Sequence, residues 1–258
     1  MIPTAALLVG ALALAPPAPG APDPAPDPVI YTLHPAVDGT VLALSALTIA
    51  VPSLFASELI HERCPCDPSS VNAFDRHAIG NHSHAADVTS DLTVALAMAG
   101  PPVVELVAVH GSRAIATDLV VFGEVLLVNG ALVEIAKYTV QRPLPLTYAG
   151  DPALVSSPGG YRSFYSGHTS TAFAALSAGA FTLGQRRGER GWPWLVVAGV
   201  GASVGVERVL GGRHFPTDVM VGAVMGTLVG VGVPWLHLAA RPVALVPSRR
   251  GLGVAVAF

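Results

Sequence analysis

Six stretches of the chain are apolar and nearly free of charge: residues roughly 40–60, 88–109, 115–136, 168–185, 192–208 and 216–239. Each approaches the ~20 residues that a helix needs to cross the hydrocarbon core of a bilayer. The pattern predicts an all-α fold, a six-helix transmembrane bundle. Glycines recur four apart in two of the stretches, at Gly201 and Gly205 and at Gly222, Gly226 and Gly230. That spacing puts each set on one helix face, and small residues let membrane helices approach closely, so both faces are expected to be packed. Acids interrupt the stretches, among them Glu105, Asp118 and Glu124. An acid at membrane depth is either buried between helices or functional, and the pattern gives these three no role.

The ends read differently from the middle. Residues 1–15 form a short apolar run with small residues at Ala13 and Ala15, as before a secretory cleavage site, but without a positive leading segment. Residues 1–28 are therefore read as a signal-like segment followed by a Pro-rich, extended linker. Residues 29–240 form the membrane-embedded domain. The tail, 241–258, alternates weakly and reads as a short strand or as irregular chain.

Composition agrees with a membrane protein. Of 258 residues 12% are charged and 52% hydrophobic, with mean hydropathy +0.57. Soluble domains carry about 25% charged residues. A net charge of −3 gives no reason to expect a nucleic-acid partner. The length allows one domain, and no internal repeat is visible. The polar loop 61–87 holds Cys64-Pro65-Cys66 with His61, His77, His82 and His84. The two cysteines could form a local bridge, pair between chains or stay free. The histidines do not complete a zinc spacing, so the loop reads as an ordinary extramembrane segment.

Candidate chemistry lies in three places. Lys137, the only lysine of the chain, ends the third apolar stretch, with Arg142 five residues on. Together they make an electropositive lip, or else an interfacial anchor of snorkelling cations. Ser166-Gly167-His168 stands immediately before the fourth stretch. Ser166 suits a helix cap, Gly167 permits close backbone approach, and the N–H groups beyond them form a ready anion site. His168 is placed to give a proton to a leaving oxygen. The third piece is Arg208-Val209-Leu210-Gly211-Gly212-Arg213-His214-Phe215-Pro216-Thr217-Asp218. Pro216 fits the first position of a helix, so His214 falls just outside its N-terminus and Asp218 inside its first turn. A carboxylate on one imidazole nitrogen leaves the other free to attack, and Arg208 offers a planar fork to an oxyanion.

Taken together, in order and approximate spacing, the three pieces resemble the type 2 phosphatidic acid phosphatase and vanadium haloperoxidase superfamily in its six-helix membrane form. The resemblance covers roughly residues 88–235. It implies a helical bundle with its site at one membrane face. It further implies a nucleophile at His214, oriented by Asp218, and a general acid at His168. Lys137, Ser166, Gly167 and Arg208 would hold phosphate, with Arg142 a possible further ligand. No metal or other cofactor is implied, because cationic side chains take that part.

The chain departs from the family pattern at three points. An Arg is expected seven residues after the Lys, where Leu144 stands before Pro145; Arg142 is the nearest substitute. Tyr165 replaces a Pro, and Glu207 replaces a Ser beside Arg208, where a carboxylate could pair with the guanidinium. The expected function is an integral membrane lipid phosphatase acting on a lipid phosphate or pyrophosphate through a phosphohistidine. The alternatives are a vanadate-dependent haloperoxidase of the same fold and a non-catalytic lipid-phosphate binding protein. The motif loops share one face, while Arg113, Arg186, Arg187 and Arg190 fall on the other. The positive-inside rule makes that second face cytoplasmic, so the site is expected to look outward from a bacterial-type inner membrane. A cleaved signal peptide conflicts with this topology. The sequence is silent on the lipid and on the oligomeric state.

Overall fold

A computed structural model describes residues 25–239, 243–248 and 251–256. The signal-like run 1–15 lies outside the described residues. The helices are α1 (Pro35–Leu54), α2 (Ala56–Leu59), α3 (Ala73–Arg76), α4 (His84–Ala108), α5 (Ser112–Val140), α6 (Pro145–Tyr148), α7 (Pro152–Val155), α8 (Gly167–Arg187), α9 (Trp192–Leu210) and α10 (Pro216–His237). The tail is an antiparallel hairpin of β1 (Val243–Ser248) and β2 (Gly251–Val256), in register from Val243 opposite Val256 to Ser248 opposite Gly251. The six long helices correspond to the six apolar stretches. Prolines at the first turns of α1, α9 and α10 set their starts, because proline lacks an N–H that would otherwise go unpaired there.

Five of the six are long and apolar enough to cross a membrane: α1, α4, α5, α9 and α10. The sixth, α8, falls short of that apolarity. It is 21 residues long but rich in alanine, serine, threonine and glycine. The packing explains its composition. α8 lies at the centre, against α4, α5, α9 and α10, with Ala172, Ala174, Ala175 and Ser177 fully buried. A helix surrounded by protein has no need of lipid-compatible side chains and gains from small ones. The large apolar side chains project outward instead, among them Leu44 and Leu47 on α1, Leu92 and Leu96 on α4, and Val224 and Leu228 on α10.

The glycine stripes are packed as expected. A Cβ at Gly222 would lie 2.7 Å from Ser166 O, at Gly226 2.2 Å from Ser170 O, and at Gly230 2.4 Å from Ala174 O. α10 therefore rests its bare backbone on that of α8. Gly201 is filled by the ring of Phe173, and Gly205 by Val219. Asn129 of α5 ties in from the side, accepting from Ser170 Oγ at 2.6 Å and donating to Thr171 Oγ1 at 3.2 Å. Gly226→Ala is expected to destabilise the bundle by about 3 kcal/mol, the upper end for overpacking, because the opposing atom is a carbonyl that cannot rotate away. The melting temperature in detergent should fall by roughly 10 °C. Gly232→Ala, where a Cβ meets nothing within 4 Å, should leave it unchanged.

The chain alternates between two ends of the bundle. The segments 55–83, 141–166 and 211–215 gather at one end, the site end. At the other end residues 25–34 pack against the helix termini. Asp27 N donates to His110 O at 2.7 Å, Thr32 N to His237 O at 2.7 Å, and Tyr31 bridges to Leu238. Arg186 lies there too, buried between Asp118 at 2.7 Å and Glu105 at 3.5 Å. Those two acids are thus structural partners of an arginine. Cys64 and Cys66 form a disulfide, which answers the open question of their state. Among the described residues the histidines of that loop do not gather into a ligand cluster.

Candidate active site

The site is built first at the junction of α9 and α10. Gly212 adopts φ +68, and a Cβ there would lie 2.1 Å from Asn81 O, so only glycine fits the turn. Arg213 N and His214 N donate back to Arg208 O at 3.0 and 3.4 Å, folding the loop onto the end of α9. Pro216 then starts α10, and Asp218 reaches back to accept from Phe215 N at 3.0 Å. His214 is left buried, 5% exposed, between the two helices.

Its orientation comes from an unexpected partner. His214 Nδ1 lies 2.7 Å from the backbone carbonyl of Ser163. A carbonyl only accepts, so Nδ1 carries the proton and Nε2 presents a lone pair. Asp218, expected to bind the ring directly, has Oδ2 3.9 Å from Nδ1. That carboxylate instead accepts from Ser163 Oγ at 2.6 Å. Asp218 fixes the residue that fixes the histidine. The reason is geometric: from the first turn of α10 its oxygens meet the Phe215 N–H and Ser163 before the ring.

The start of α8 supplies the second part. Ser166 caps the helix through its Oγ, 3.4 Å from Thr169 N and 2.9 Å from Thr169 Oγ1. A Cβ at Gly167 would lie 3.3 Å from Lys137 Nζ, so the glycine lets the ammonium at the end of α5 sit against the helix N-terminus. His168 Nε2 lies 2.8 Å from Asp91 Oδ1. Asp91 and Asp87, four residues apart on α4, were not singled out from the sequence, yet they organise the cations of the site. Arg208 Nη1 donates to Asp87 Oδ1 at 2.8 Å and to Ser90 Oγ at 3.1 Å, and lies 3.5 Å from Asp91. Arg213 binds Asp87 through Nε and Nη2. A pair of acids at helical spacing opening an apolar helix was the available signal.

Arg142 is the clearest correction. Expected on the phosphate, its guanidinium lies beneath the site, donating to Asp218 Oδ1 at 2.6 Å, Thr217 Oγ1 at 2.9 Å and Asp75 Oδ2 at 2.8 Å, and stacking 4.0 Å over Phe215. Two carboxylates hold it, so its charge is spent on them. Asp75, from the loop helix α3, also accepts from Thr217 N and Oγ1. Burial pushes its carboxyl up, but the hydrogen bonds from Arg142 and Thr217 hold it below the ordinary range. Leu144 is buried, its N–H on Gly160 O at 2.9 Å. The cation missing at that position has a neighbour from elsewhere. Arg162, paired with Glu134 and 5.0 Å over Tyr138, acts electrostatically on Lys137. Glu207 interacts with Thr93, not with Arg208, whose carboxylate partners are Asp87 and Asp91.

The electrostatics converge on His214. Burial first, then the charges of Arg208 and Lys137, push its pKa well below the ordinary imidazole value, so the ring is neutral at physiological pH. Arg162 Nε and Arg208 Nε are buried donors with no protein acceptor among the described residues. A neutral nitrogen nucleophile, unspent guanidinium donors, an ammonium and a helix N-terminus together suit an oxyanion under attack.

Residues 118–242 match the PAP2 superfamily. That stretch of the chain belongs to this family. The PAP2 region includes Lys137, Ser166 to His168, and Arg208 to Asp218, the residues on which the resemblance was read. Among curated proteins, lipid A 1-phosphatase of Porphyromonas gingivalis is 34% identical over 109 residues, 42% of this chain and 21% of that protein. Bacitracin transport permease protein BcrC of Bacillus licheniformis is 37% identical over 73 residues, 28% of this chain and 32% of that protein. The chain thus aligns with about a fifth and a third of the length of these two relatives. Two crystal structures are similar. LpxE of Aquifex aeolicus has 21% identity, a TM-score of 0.45, and coverage of 67% of this chain and 98% of its own. A PAP2-type phosphatidylglycerolphosphate phosphatase of Bacillus subtilis has 19% identity, a TM-score of 0.41, and coverage of 76% and 93%.

Proposed function

We propose that this PAP2 protein is a membrane phosphatase that releases inorganic phosphate from a lipid phosphate or pyrophosphate, by way of a phosphohistidine. The observation that carries the reading is the fixed tautomer of His214: with Nδ1 given to Ser163 O at 2.7 Å, the Nε2 lone pair is the only nucleophilic one on the ring. In the first step Nε2 attacks phosphorus, the P–O bond to the leaving group breaks, and His168 gives its proton to the departing oxygen. In the second, His168 takes a proton from water as that water attacks phosphorus, and the P–N bond breaks. Lys137, Arg208, Arg162 and the N–H groups behind Ser166 and Gly167 are the donors for charge on the equatorial oxygens. Arg142 and Asp218 belong to the support beneath. A lipid substrate follows from the setting, since the site lies at one end of a bundle of apolar helices. Lipid A, which one relative's name carries, is a candidate for the panel below.

The site end faces outward on this reading. Arg113, Arg186, Arg187 and Arg190 all lie at the other end, which the positive-inside rule assigns to the cytoplasm. Residues 25–34 pack at that same cytoplasmic end. A cleaved secretory signal would deliver them to the opposite side, so this topology requires either an uncleaved segment or one long helix that does not span.

The test is phosphate release by the protein in detergent, without added metal, from phosphatidate, phosphatidylglycerophosphate, lipid A and a polyprenyl pyrophosphate. His168→Ala should slow release by about 10²–10³-fold, and by much less on an aryl phosphate, whose leaving oxygen needs no proton. The acid limb of kcat/KM should lie well below about pH 6.5, the ordinary imidazole value. The sign follows from the depressed pKa: His214 stays unprotonated until the pH falls through its lowered value. No release from any of these substrates by folded protein would favour a lipid-phosphate binding protein.

A further inference from the structure

At the end of the bundle away from the site, three ionisable side chains meet out of water. Asp38 comes from the first turn of α1, Glu124 from α5 and His237 from the last turn of α10, at 6%, 5% and 9% exposure. The length of α10 separates them from His214 by roughly 30 Å. His237 Nε2 lies 3.1 Å from Glu124 Oε2 and 3.5 Å from Asp38 Oδ1. Its Nδ1 is 2.9 Å from the Val233 carbonyl, to which it must donate. A neutral ring therefore turns its lone pair towards two carboxylates. Glu124 Oε2 is buried and accepts no hydrogen bond, close as Nε2 is. Asp38 has its second oxygen on His34 N at 2.7 Å.

Such a grouping is neutralised either by two protons or by a cation at its centre. Among the described residues no lysine or arginine pairs with any of the three. A proton on Nε2 would leave one net negative charge buried, which is costly in an apolar interior. A divalent cation, with neutral His237 and two carboxylates, brings the sum to zero.

We propose that Asp38, Glu124 and His237 bind a divalent transition metal, Zn²⁺ by preference, which fastens α1 to α5 and α10. Zinc bonds to nitrogen and oxygen of about 2.0–2.1 Å place tetrahedral ligands about 3.3 Å apart, and the two separations at Nε2 bracket that figure. The Nδ1 hydrogen bond to Val233 O is the outer contact that a metal-bound histidine makes to fix its ring. An imidazole among the ligands argues against Mg²⁺ and Ca²⁺, which take oxygen. Three protein ligands leave the fourth position to water. The role is structural: α1 packs chiefly on α5, and the metal would add a link to α10. The site is separate from the phosphate-handling one, and nothing in the proposed reaction passes through it.

The experiment uses the full chain in detergent, stripped with chelator and titrated with Zn²⁺, Mn²⁺ or Co²⁺, with bound metal counted by mass spectrometry after gel filtration. One Zn²⁺ per chain is expected, with the strong visible bands of near-tetrahedral Co²⁺ in the substituted protein. The melting temperature should rise by roughly 5–10 °C at 100-fold excess over Kd. His237→Gln and Glu124→Gln should each weaken binding at least ~100-fold, and His214→Ala should bind as the parent does. Monodisperse parent protein that retains only background metal and shows no thermal shift would overturn the proposal and leave a proton-sharing ion pair. Unchanged binding in both folded variants would overturn it as well, by placing the metal elsewhere. Should the variants fail to fold, the titration of the parent protein decides.

Discussion

His214→Ala is expected to reduce phosphate release by at least ~10⁴-fold while leaving the bundle folded and able to hold the lipid phosphate. The size of the loss follows from what the ring alone supplies. On the proposed reaction Lys137, Arg208 and the N-terminus of α8 would bind and polarise the phosphoryl group, and none of them depends on the imidazole for its place. Lys137 lies against Gly167, and Arg208 is held by Asp87 and Ser90. Without Nε2 the proposed nucleophile is gone, and the reaction would fall back on water. Trapping labelled phosphate on the acid-quenched protein gives a second reading, since a phosphohistidine should form in the parent and be absent in the variant. A variant that keeps activity within tenfold of the parent would remove the nucleophile from His214.

Asp218→Asn is expected to cost both stability and rate. Its carboxylate is fully buried and accepts from Arg142 Nη1, Ser163 Oγ and Phe215 N. An amide keeps the shape but turns one oxygen into a donor, so at least one of these donors faces another donor. It also leaves the Arg142 charge with Asp75 as its one carboxylate partner. Breaking a buried ion pair from one side costs about 3–5 kcal/mol, read as a fall in melting temperature of roughly 10 °C or more. The rate should fall by about 10²–10³-fold, because Ser163 loses its anchor and its carbonyl no longer holds the His214 tautomer. Ser163→Ala separates the two effects. It removes the link between Asp218 and the loop but keeps the carbonyl and the Arg142 pair, so it should slow release with little loss of stability. Equal losses of stability in both variants would contradict this chain of support.

Much of the site was legible because its signals are local. Ser166 before an alanine-rich run, Pro216 at a helix start and Gly211-Gly212 between helices each state a backbone geometry that needs no distant partner. The glycines at 222, 226 and 230 announced a packed face in the same way. What they pack against, the backbone of α8, was not announced. The low apolarity of α8 is itself a tertiary fact, since only its central place removes it from lipid. Arg142 shows the limit most directly. Its place in the sequence offered a substitute for the missing arginine at Leu144, and its place in space is between Asp75 and Asp218.

The sequence by itself determined the bundle of apolar helices, the order of the three motifs and the family to which residues 118–242 belong, because apolar runs, caps and turn residues act over a few positions of chain. Only the tertiary structure decided the partners. Ser163 rather than Asp218 orients His214; Asp87 and Asp91 from α4 hold the site's cations and His168; Asp38, Glu124 and His237 converge from three helices. A buried charge is bound by whichever groups the packing brings within about 3 Å, and the chain between them carries no mark of that meeting.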